Sequence, residues 1–250
     1  MFDFKKLKDE GYIKIKKIIP ISLIKDFKSD ISSIEKQFQK QTGNYNKNFL
    51  NFYLKNPSRS RIYSLMQNLI SVRKISNFID LYLEKNNVFK KLNFINRSVN
   101  NGLIISLPGE NEYLNPPHQD IYNFKSKLFL KAWIPLTNVD KTYGSMKVYK
   151  RSHLKGFVKP VFKNSKSTYP SFNQKYLNQF EGETFKLMPS DVVIFNPFII
   201  HQSIPNKSSV IRFSAGIEFH GITLSEDENL IKKINLIIKE RTIRRRRNKL

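Results

Sequence analysis

A histidine and an aspartate stand two positions apart in the segment NPPHQDIYNF, residues 115–124. On a β-strand, residues i and i+2 point to the same face, so His118 and Asp120 could offer an imidazole nitrogen and a carboxylate oxygen to one metal ion. An ordinary polar turn after Pro116 and Pro117 would explain the same pair. A third ligand far along the chain is needed to favour the metal site.

The best candidate for a third ligand is His201, which follows the apolar run VVIFNPFII. Eleven residues later, Arg212 lies inside the strand-like run SVIRFSAGIEF. An arginine in an apolar strand is costly unless it meets an anion, and Ser214, again at i+2, could donate a second hydrogen bond to that anion. Two histidines and one carboxylate form the facial triad of non-haem Fe(II) oxygenases, and an arginine fork fits the distal carboxylate of a keto acid.

Structural explanations remain open for these residues. His201 could be a satisfied core histidine, and Arg212 could pair with Glu218 or Asp191 instead of a ligand. The order of the HxD pair, the distant histidine and the Arg-x-Ser pair favours the metal site over these alternatives. The other two histidines complete no better ligand set and are assigned to structure: His153 and His220.

The elements that would position these residues change character near residue 102. Residues 1–100 are mostly helical by pattern, whereas short apolar runs between 101 and 222 alternate with Pro, Gly, Asn and Asp, as an antiparallel β core requires. A C-terminal helix and a basic tail are expected over 225–250. The individual predictions for the first part are a helix at 3–9, a strand at 12–19, a helix at 21–39, a buried run at 49–54 and helical patterning over 58–89. One domain over 1–250 is the simpler interpretation.

Composition restricts the classes of protein and site. The 250 residues are 40% apolar and 13% aromatic, which favours a globular protein, and the lack of cysteine excludes disulfides, thiolate catalysis and iron–sulfur clusters. Without an apolar run long enough for a signal peptide or a membrane span, a cytoplasmic protein is expected. The net charge is +24, of which +6 lies in the last twelve residues. Such a charge would attract nucleic acid, anionic lipid or anionic small molecules, although an AT-rich genome would also produce scattered lysines.

Four segments of the chain resemble the phytanoyl-CoA dioxygenase family of Fe(II)- and 2-oxoglutarate-dependent oxygenases. FKKLKDEGYIKIKKIIPISLIKDFKSDI is similar to the family's opening helix, strand and helix, and PPHQDIYNF to its HxD segment. KAWIPLTNVDKTYGSMKVYKRSHLKG and PSDVVIFNPFIIHQSIPNKSSVIRFS are similar to the strand, glycine and Ser-His region and to the distal histidine and arginine block. The motif YKRSH departs from the Pro-Gly that usually precedes Ser-His. The resemblance implies a mainly β fold, a cupin-like double-stranded β-helix or jelly roll, flanked by helices.

The resemblance also implies roles for individual residues. His118, Asp120 and His201 would bind Fe(II), Arg212 and Ser214 would bind the outer carboxylate of 2-oxoglutarate, and Trp133 matches an aromatic position beside that cosubstrate. The second cosubstrate contact is left unassigned, because GLIISLPGENEYLNPP offers no clear polar residue for it. The implied reaction decarboxylates 2-oxoglutarate with O₂ and hydroxylates an aliphatic C–H bond. Related halogenases carry a small residue in place of the aspartate, so Asp120 favours hydroxylation.

The substrate is expected to be a small molecule, and the basic charge would suit an anionic or a carrier-, CoA- or nucleotide-linked one. Gln119 and Tyr122 could face it, although solvent-facing strand positions explain them nearly as well. Residues 155–179 are expected to form a lid that determines specificity. Two other functions remain open: a basic jelly-roll binding protein for nucleic acid or an anionic ligand, with an incidental or lost metal site, and a cupin-type isomerase or hydrolase. Nucleic-acid binding is disfavoured because no basic and aromatic residues alternate to form a stacking platform.

Overall fold

Two antiparallel β-sheets form the centre of the structure. The structure is a computed structural model, and it describes residues 2–43, 63, 66–93, 95–109, 114–123, 128–163, 169–222 and 228–247. The larger sheet has the strand order β1-β6-β3-β8-β2, and the smaller has the order β5-β4-β7. The strands are β1 Tyr12–Ile15, β2 Ile95–Ser106, β3 Leu128–Pro135, β4 Met146–Tyr149, β5 Gly182–Thr184, β6 Val192–Phe195, β7 His201–Ser203 and β8 Arg212–Ile222. This arrangement agrees with the predicted antiparallel core and is consistent with a jelly roll.

Helices from the first part of the chain cover one face of the larger sheet. Alternate residues of β8, such as Phe213 and Phe219, and of β3, such as Leu130 and Ile134, are buried in one apolar cluster with these helices. The helices are α1 Phe4–Glu10, α2 Ile21–Thr42, α3 Ile70–Lys85, α4 Val88–Lys91, α5 Gln174–Leu177 and α6 Glu228–Arg247, with 3₁₀ turns at Asp120–Asn123 and Ser152–Lys155. Among the described residues, none of the helices is both long enough and apolar enough to span a membrane.

The opposite faces of β3 and β8 carry the polar residues of the interior. In the antiparallel register Lys131 stands opposite Glu218, and Trp133 stands opposite Gly216. Because side chains alternate along a strand, Lys131 and Trp133 lie on the face turned away from the helices. Trp133 packs there in a second apolar cluster that joins the two sheets. The core is therefore divided into an apolar helix side and an interior that also holds charged side chains.

The first strand is shorter than predicted. The pattern favoured a strand over residues 12–19, but β1 ends at Ile15 and Lys17 has a positive φ of 54°. The cause is a turn held by Asp191, whose carboxylate accepts hydrogen bonds from the Lys17 backbone amide at 2.9 Å and from the Met188 amide at 3.0 Å. Lys16 adds an ion pair to Asp191 at 3.0 Å. Asp191 thus fastens the chain after β1 to the turn that leads into β6.

The segment predicted as a loop over residues 155–179 contains some regular structure. Val161 and Ser171 form an isolated β-bridge, and the short helix α5 follows. Phe172 and Leu177 are buried in an apolar cluster with Ile234 and Ile237 of α6. The predicted buried run at 49–54 and the start of the C-terminal helix at Ser225 lie outside the described residues, and the division into a single domain stays a prediction.

We expect Asp191→Ala to lower the free energy of unfolding by about 1–3 kcal/mol at neutral pH, because two backbone amides lose their charged acceptor, a carboxylate that is itself buried. Burial raises the pKa of Asp191, but its amide and lysine donors outweigh burial and hold that pKa below its ordinary value. The stabilisation is therefore present above the unfolded-state pKa and disappears as pH falls through the lower folded-state pKa. Urea unfolding of the wild type and the variant at several pH values measures this difference.

The matched control is Asp26→Ala, which removes a carboxylate that is 45% exposed and pairs with Lys74. An exposed ion pair contributes less than about 1 kcal/mol, so this variant should unfold nearly as the wild type does. Equal destabilisation by the two substitutions would contradict the role given to Asp191.

Candidate metal centre

Three buried side chains with metal-binding atoms meet where β7 begins. His118 and His201 form an isolated antiparallel bridge, in which each backbone amide donates to the other's carbonyl at 2.9 and 3.0 Å. The amide of Asp120 donates to the carbonyl of Pro197 at 3.1 Å and begins the first 3₁₀ turn. The predicted HxD pair therefore does not lie on one regular strand, and the turn directs the carboxylate toward the two imidazoles.

The ligand atoms of this triad lie within 4.8 Å of one another. The Nε2 atom of His118 is 3.3 Å from Oδ1 of Asp120, and the Nε2 atom of His201 is 3.5 Å from Oδ2. Each Nδ1 atom instead faces a backbone carbonyl, that of Pro116 at 2.7 Å or that of Ile199 at 3.2 Å. An N–H at Nδ1 that donates to a carbonyl leaves the lone pair at Nε2 for a metal. The donor set fits a divalent transition metal such as Fe(II).

A lysine that the sequence analysis did not identify completes the charge balance of the triad. The Nζ atom of Lys131 is 2.8 Å from Oδ2 of Asp120 and 3.3 Å from Oε1 of Glu218. Burial would lower the pKa of Lys131, but attraction to the two carboxylates outweighs burial and raises it. The run LFLKAWIPL could have identified Lys131, because a lysine inside an apolar strand requires a charged partner just as Arg212 does.

The surroundings of Asp120 and His201 favour the protonation states in which these two residues bind a metal. Burial would raise the pKa of Asp120, yet Lys131 and the two histidines hold it well below its ordinary value. Burial lowers the pKa of His201 to about 3. An ionised carboxylate and a neutral imidazole are the forms that bind metals, so both residues are ready to act as ligands at neutral pH.

A second polar cluster contains the predicted anion anchor. Nη1 of Arg212 donates to Oγ of Ser214 at 2.7 Å, and Nε1 of Trp133 donates to the same oxygen at 3.1 Å. Because this hydroxyl oxygen accepts two hydrogen bonds, its own O–H remains to be donated to an anion. The guanidinium carbon of Arg212 lies 5.9 Å from the centre of the Trp133 ring. The three residues named for the cosubstrate are thus in mutual contact.

The alternative explanation for Arg212 was an ion pair with Glu218 or Asp191. Glu218 pairs with Lys131 and Asp191 with Lys16, and among the described residues no carboxylate pairs with Arg212. Its guanidinium is buried, which lowers its pKa to about 10, and its Nε has no hydrogen-bond partner in the described part of the chain. A charged group in this state has the properties of a binding site for a carboxylate.

A serine missed in the sequence lies beside this anchor. Ser106 on β2 stands directly opposite Arg212 on β8, and its buried hydroxyl has no hydrogen-bond partner among the described residues. The sequence pattern alone assigns no second cosubstrate contact, although Ser106 is the polar residue of the run GLIISL. The pairing register of β2 with β8 makes Ser106 a candidate for that contact.

Gln119 and Tyr122 are the two residues predicted to face the substrate. The amide of Gln119 is buried and donates to the carbonyls of Gly156 and Phe198 at 2.8 and 2.6 Å, while its oxygen accepts from the Val158 amide. These bonds tie the HxD segment to the start of the predicted lid, which is a structural role. Tyr122 belongs to the first 3₁₀ turn, and its side chain lies outside the described part of the structure.

The segment predicted as a lid contributes a residue that the sequence analysis missed. The ring of Tyr169 meets the His118 ring edge-on, with centroids 5.0 Å apart. The guanidinium carbon of Arg241, in α6, lies over the Tyr169 ring, 4.6 Å from its centre. Helix α6 also packs against the 3₁₀ turn that begins at Asp120. Nothing in the periodicity of residues 155–179 pointed to Tyr169, because its importance arises from the folding of a distant helix.

The histidines assigned to structure take no part in the triad. His153 faces the carbonyl of Lys8 through Nε2 at 2.8 Å and joins α1 to the second 3₁₀ turn. His220 is buried, with its Nε2 3.7 Å from Glu218.

Residues 7–214 match the model of the family described as phytanoyl-CoA dioxygenase (PhyH). The chain belongs to this family. The match includes all three triad residues, Arg212 and Ser214, and it confirms the resemblance and the predicted fold class. It ends before α6, so the helix that lies over Tyr169 is outside the matched region.

Among curated proteins, the chain is 35% identical over 106 residues to the 1-deoxypentalenic acid 11-beta-hydroxylase of Streptomyces exfoliatus, and the alignment covers 40% of this chain and 38% of that protein. The chain thus matches less than half the length of this relative. Among solved structures, it is similar to the non-heme alpha-ketoglutarate-dependent epimerase SnoN of nogalamycin biosynthesis, with a TM-score of 0.57, 12% identity and coverage of 88% and 79% of the two chains. It is also similar to EvdO2 of Micromonospora carbonacea var. aurantiaca complexed with 2-oxoglutarate, with a TM-score of 0.54, 11% identity and coverage of 91% and 94%.

We expect the metal-free protein to bind Co(II), and His201→Ala to weaken this binding at least about 100-fold because one of three protein ligands is lost. Equilibrium dialysis against Co(II) measures the affinity. His153→Gln is the control, since it alters a half-buried histidine outside the triad and should leave the affinity unchanged. Similar affinities for the wild type and His201→Ala would show that the ion binds elsewhere.

Proposed function

We propose that this protein is an Fe(II)- and 2-oxoglutarate-dependent dioxygenase that hydroxylates an aliphatic C–H bond of a small molecule. The observation that carries the proposal is the convergence of His118, Asp120 and His201 in the same interior that holds a buried arginine without a carboxylate partner among the described residues. A metal triad alone would serve many reactions. A triad combined with an anchor for a second anion suits a cosubstrate with a carboxylate.

Each residue has a defined part in this proposal. His118, Asp120 and His201 hold Fe(II), and Arg212 with Ser214 binds the outer carboxylate of 2-oxoglutarate. When bound, the iron and the keto acid together supply the oxidising power for hydroxylation with O₂. Trp133 orients the Ser214 hydroxyl through the 3.1 Å hydrogen bond and forms one side of the cosubstrate site. We assign Ser106 as the second contact, since it stands opposite Arg212 and its hydroxyl has no hydrogen-bond partner within the described part of the chain.

The chain also excludes water from the reacting centre. All three triad residues are buried, and Tyr169 covers the ring of His118. Helix α6 supports this cover through Arg241 and through Ile234 and Ile237, which pack in the cluster that includes Ile121 of the 3₁₀ turn. Burial strengthens the electrostatic interactions in the site and suppresses side reactions with water. The lid function of residues 155–179 and the choice of substrate are part of the proposal.

Hydroxylation is favoured over other reactions by two considerations. Asp120 supplies a carboxylate where halogenases carry a small residue, and the curated relative from Streptomyces exfoliatus is named as a hydroxylase. That relative acts on an acid by its name, which agrees with the expectation of an anionic substrate for a chain with a net charge of +24. The fold alone does not select the reaction, because similar structures include an epimerase and a carbocyclase.

The test of the proposed function uses the only tryptophan of the chain, Trp133, as a reporter of cosubstrate binding. Under anaerobic conditions, 2-oxoglutarate should quench its fluorescence in the Co(II) protein and should produce a weak visible charge-transfer band in the Fe(II) protein. Arg212→Met should weaken 2-oxoglutarate binding about 30-fold or more, because a buried carboxylate loses its charged partner. His201→Ala should abolish the visible band.

The control for the loss of charge is Arg73→Met, which removes an exposed arginine of α3 and should leave 2-oxoglutarate binding unchanged. Succinate release in air, with and without candidate metabolites such as 1-deoxypentalenic acid, then measures turnover. Undiminished binding in Arg212→Met, or a band that persists in His201→Ala, would refute the assignment of these residues.

A separate experiment tests the cover formed by Tyr169. We expect Tyr169→Ala to accelerate the removal of Co(II) by EDTA at least fivefold while changing the equilibrium Co(II) affinity less than threefold, because a cover slows entry and exit alike. Stopped-flow absorbance measures the removal rate. Tyr143→Ala, which alters a tyrosine that is 38% exposed, is the control. An unchanged rate in Tyr169→Ala would mean that Tyr169 does not restrict access to the metal.

A further inference from the structure

Lys131 occupies an unusual position for a lysine, inside a strand and next to a metal triad. Only 14% of its side chain is exposed, so its ammonium has lost most of its hydration. A buried ammonium is unfavourable unless carboxylates surround it, and here Asp120 lies at 2.8 Å and Glu218 at 3.3 Å. The direct pairing of Lys131 with Glu218 in the register of β3 and β8 fixes the place of the ammonium. Lys131 is therefore held at one oxygen of Asp120 by the sheet itself.

The two oxygens of Asp120 have different surroundings. Oδ1 faces Nε2 of His118 at 3.3 Å, whereas Oδ2 carries the ammonium of Lys131 at 2.8 Å. Oδ2 also lies 3.5 Å from Nε2 of His201. Without the lysine, Oδ2 could therefore bind the same metal ion as the two histidines. The ammonium competes with the metal for this oxygen.

The number of metal positions makes this competition important. Iron in such sites has six positions, of which a bidentate keto acid takes two and the two histidines take two more. An aspartate that binds through one oxygen leaves one position for O₂, whereas an aspartate that binds through both oxygens leaves none. Control of the second carboxylate oxygen would therefore decide whether O₂ can reach the metal.

We propose that Lys131 is a positioning residue that reserves one oxygen of Asp120, so that the aspartate is a one-oxygen ligand and a metal position stays open. This inference rests on the metal and cosubstrate sites of the proposed function. Glu218 supports this role, because its carboxylate holds the Lys131 ammonium in place from the neighbouring strand β8. Lys131 acts through Asp120 and needs no contact with the substrate.

The experiment uses nitric oxide as a probe of the open position. The Fe(II) protein with 2-oxoglutarate is titrated anaerobically with nitric oxide, and the electron paramagnetic resonance signal of the adduct gives the affinity. Lys131→Met removes the ammonium but would leave Glu218 unbalanced. The double variant Lys131→Met with Glu218→Gln removes both charges and preserves the net charge, so it is the main test. Lys131→Arg retains a cation that can hold the aspartate.

We expect the double variant to bind Co(II) at least as tightly as the wild type, because the ammonium no longer competes for Asp120. It should bind 2-oxoglutarate within threefold of the wild type and nitric oxide at least tenfold more weakly. Lys131→Arg should bind nitric oxide within threefold of the wild type. A fold-maintaining role alone would lower the Co(II) affinity and the thermal unfolding temperature together with the nitric oxide affinity, and this result would overturn the inference.

Unchanged nitric oxide affinity in the double variant would also overturn it, and would leave Lys131 as a candidate substrate contact. Failure of the proposed function has a different signature, since the wild-type protein itself would then bind no 2-oxoglutarate. That result would remove the basis of both proposals, whereas a defect confined to the variants concerns Lys131 alone.

Discussion

The carboxylate of Asp120 is the group on which the arrangement of the site depends. It is 1% exposed, and a carboxylate at such a depth is stable only if positive or hydrogen-donating groups surround it. Lys131 and the two imidazoles provide these groups, and each comes from a different part of the chain. The bridge between His118 and His201, the turn at Asp120 and the register of β3 with β8 must all form before the charge is compensated. The requirement for charge compensation thus couples the site to the folding of both sheets.

The two faces of the larger sheet differ in composition, and this difference lets the fold accommodate the buried charges of the site. On the helix side, Phe213 and Phe219 pack with α-helical residues and supply apolar burial. On the interior side, Arg212, Ser214 and Glu218 alternate with them along the same strand. Because the period of a strand is two, one strand can hold a stable core and a chemical site at the same time. The buried charges of the interior reduce stability unless they are paired, so their presence agrees with a functional role.

The proposed cover of the site comes from segments that contribute little to the sheets. Tyr169 lies in the long connection before α5, and α6 lies beyond the region that matches the family. The two are joined by the contact of Arg241 with Tyr169 and by the apolar cluster around Phe172. In an enzyme, such peripheral segments can vary while the triad stays constant, which is how one fold accommodates many substrates. The basic residues of α6 accordingly belong to the part of the molecule in which specificity is expected to reside.

The amino-acid sequence by itself indicated the candidate ligands and the Arg212 and Ser214 pair through residue types and their order, and the antiparallel core through the two-residue period of its strands. It did not indicate the 3₁₀ turn that directs Asp120 toward the two imidazoles. It misjudged the end of β1, where Asp191, far along the chain, imposes a turn at Lys17. Only the tertiary structure decided that Lys131 lies between Asp120 and Glu218, that Ser106 stands opposite Arg212 and that Tyr169 contacts His118. These contacts depend on which strands pair, in which register, and on where a distant helix packs, and such choices are made by the whole chain as it buries its apolar surface.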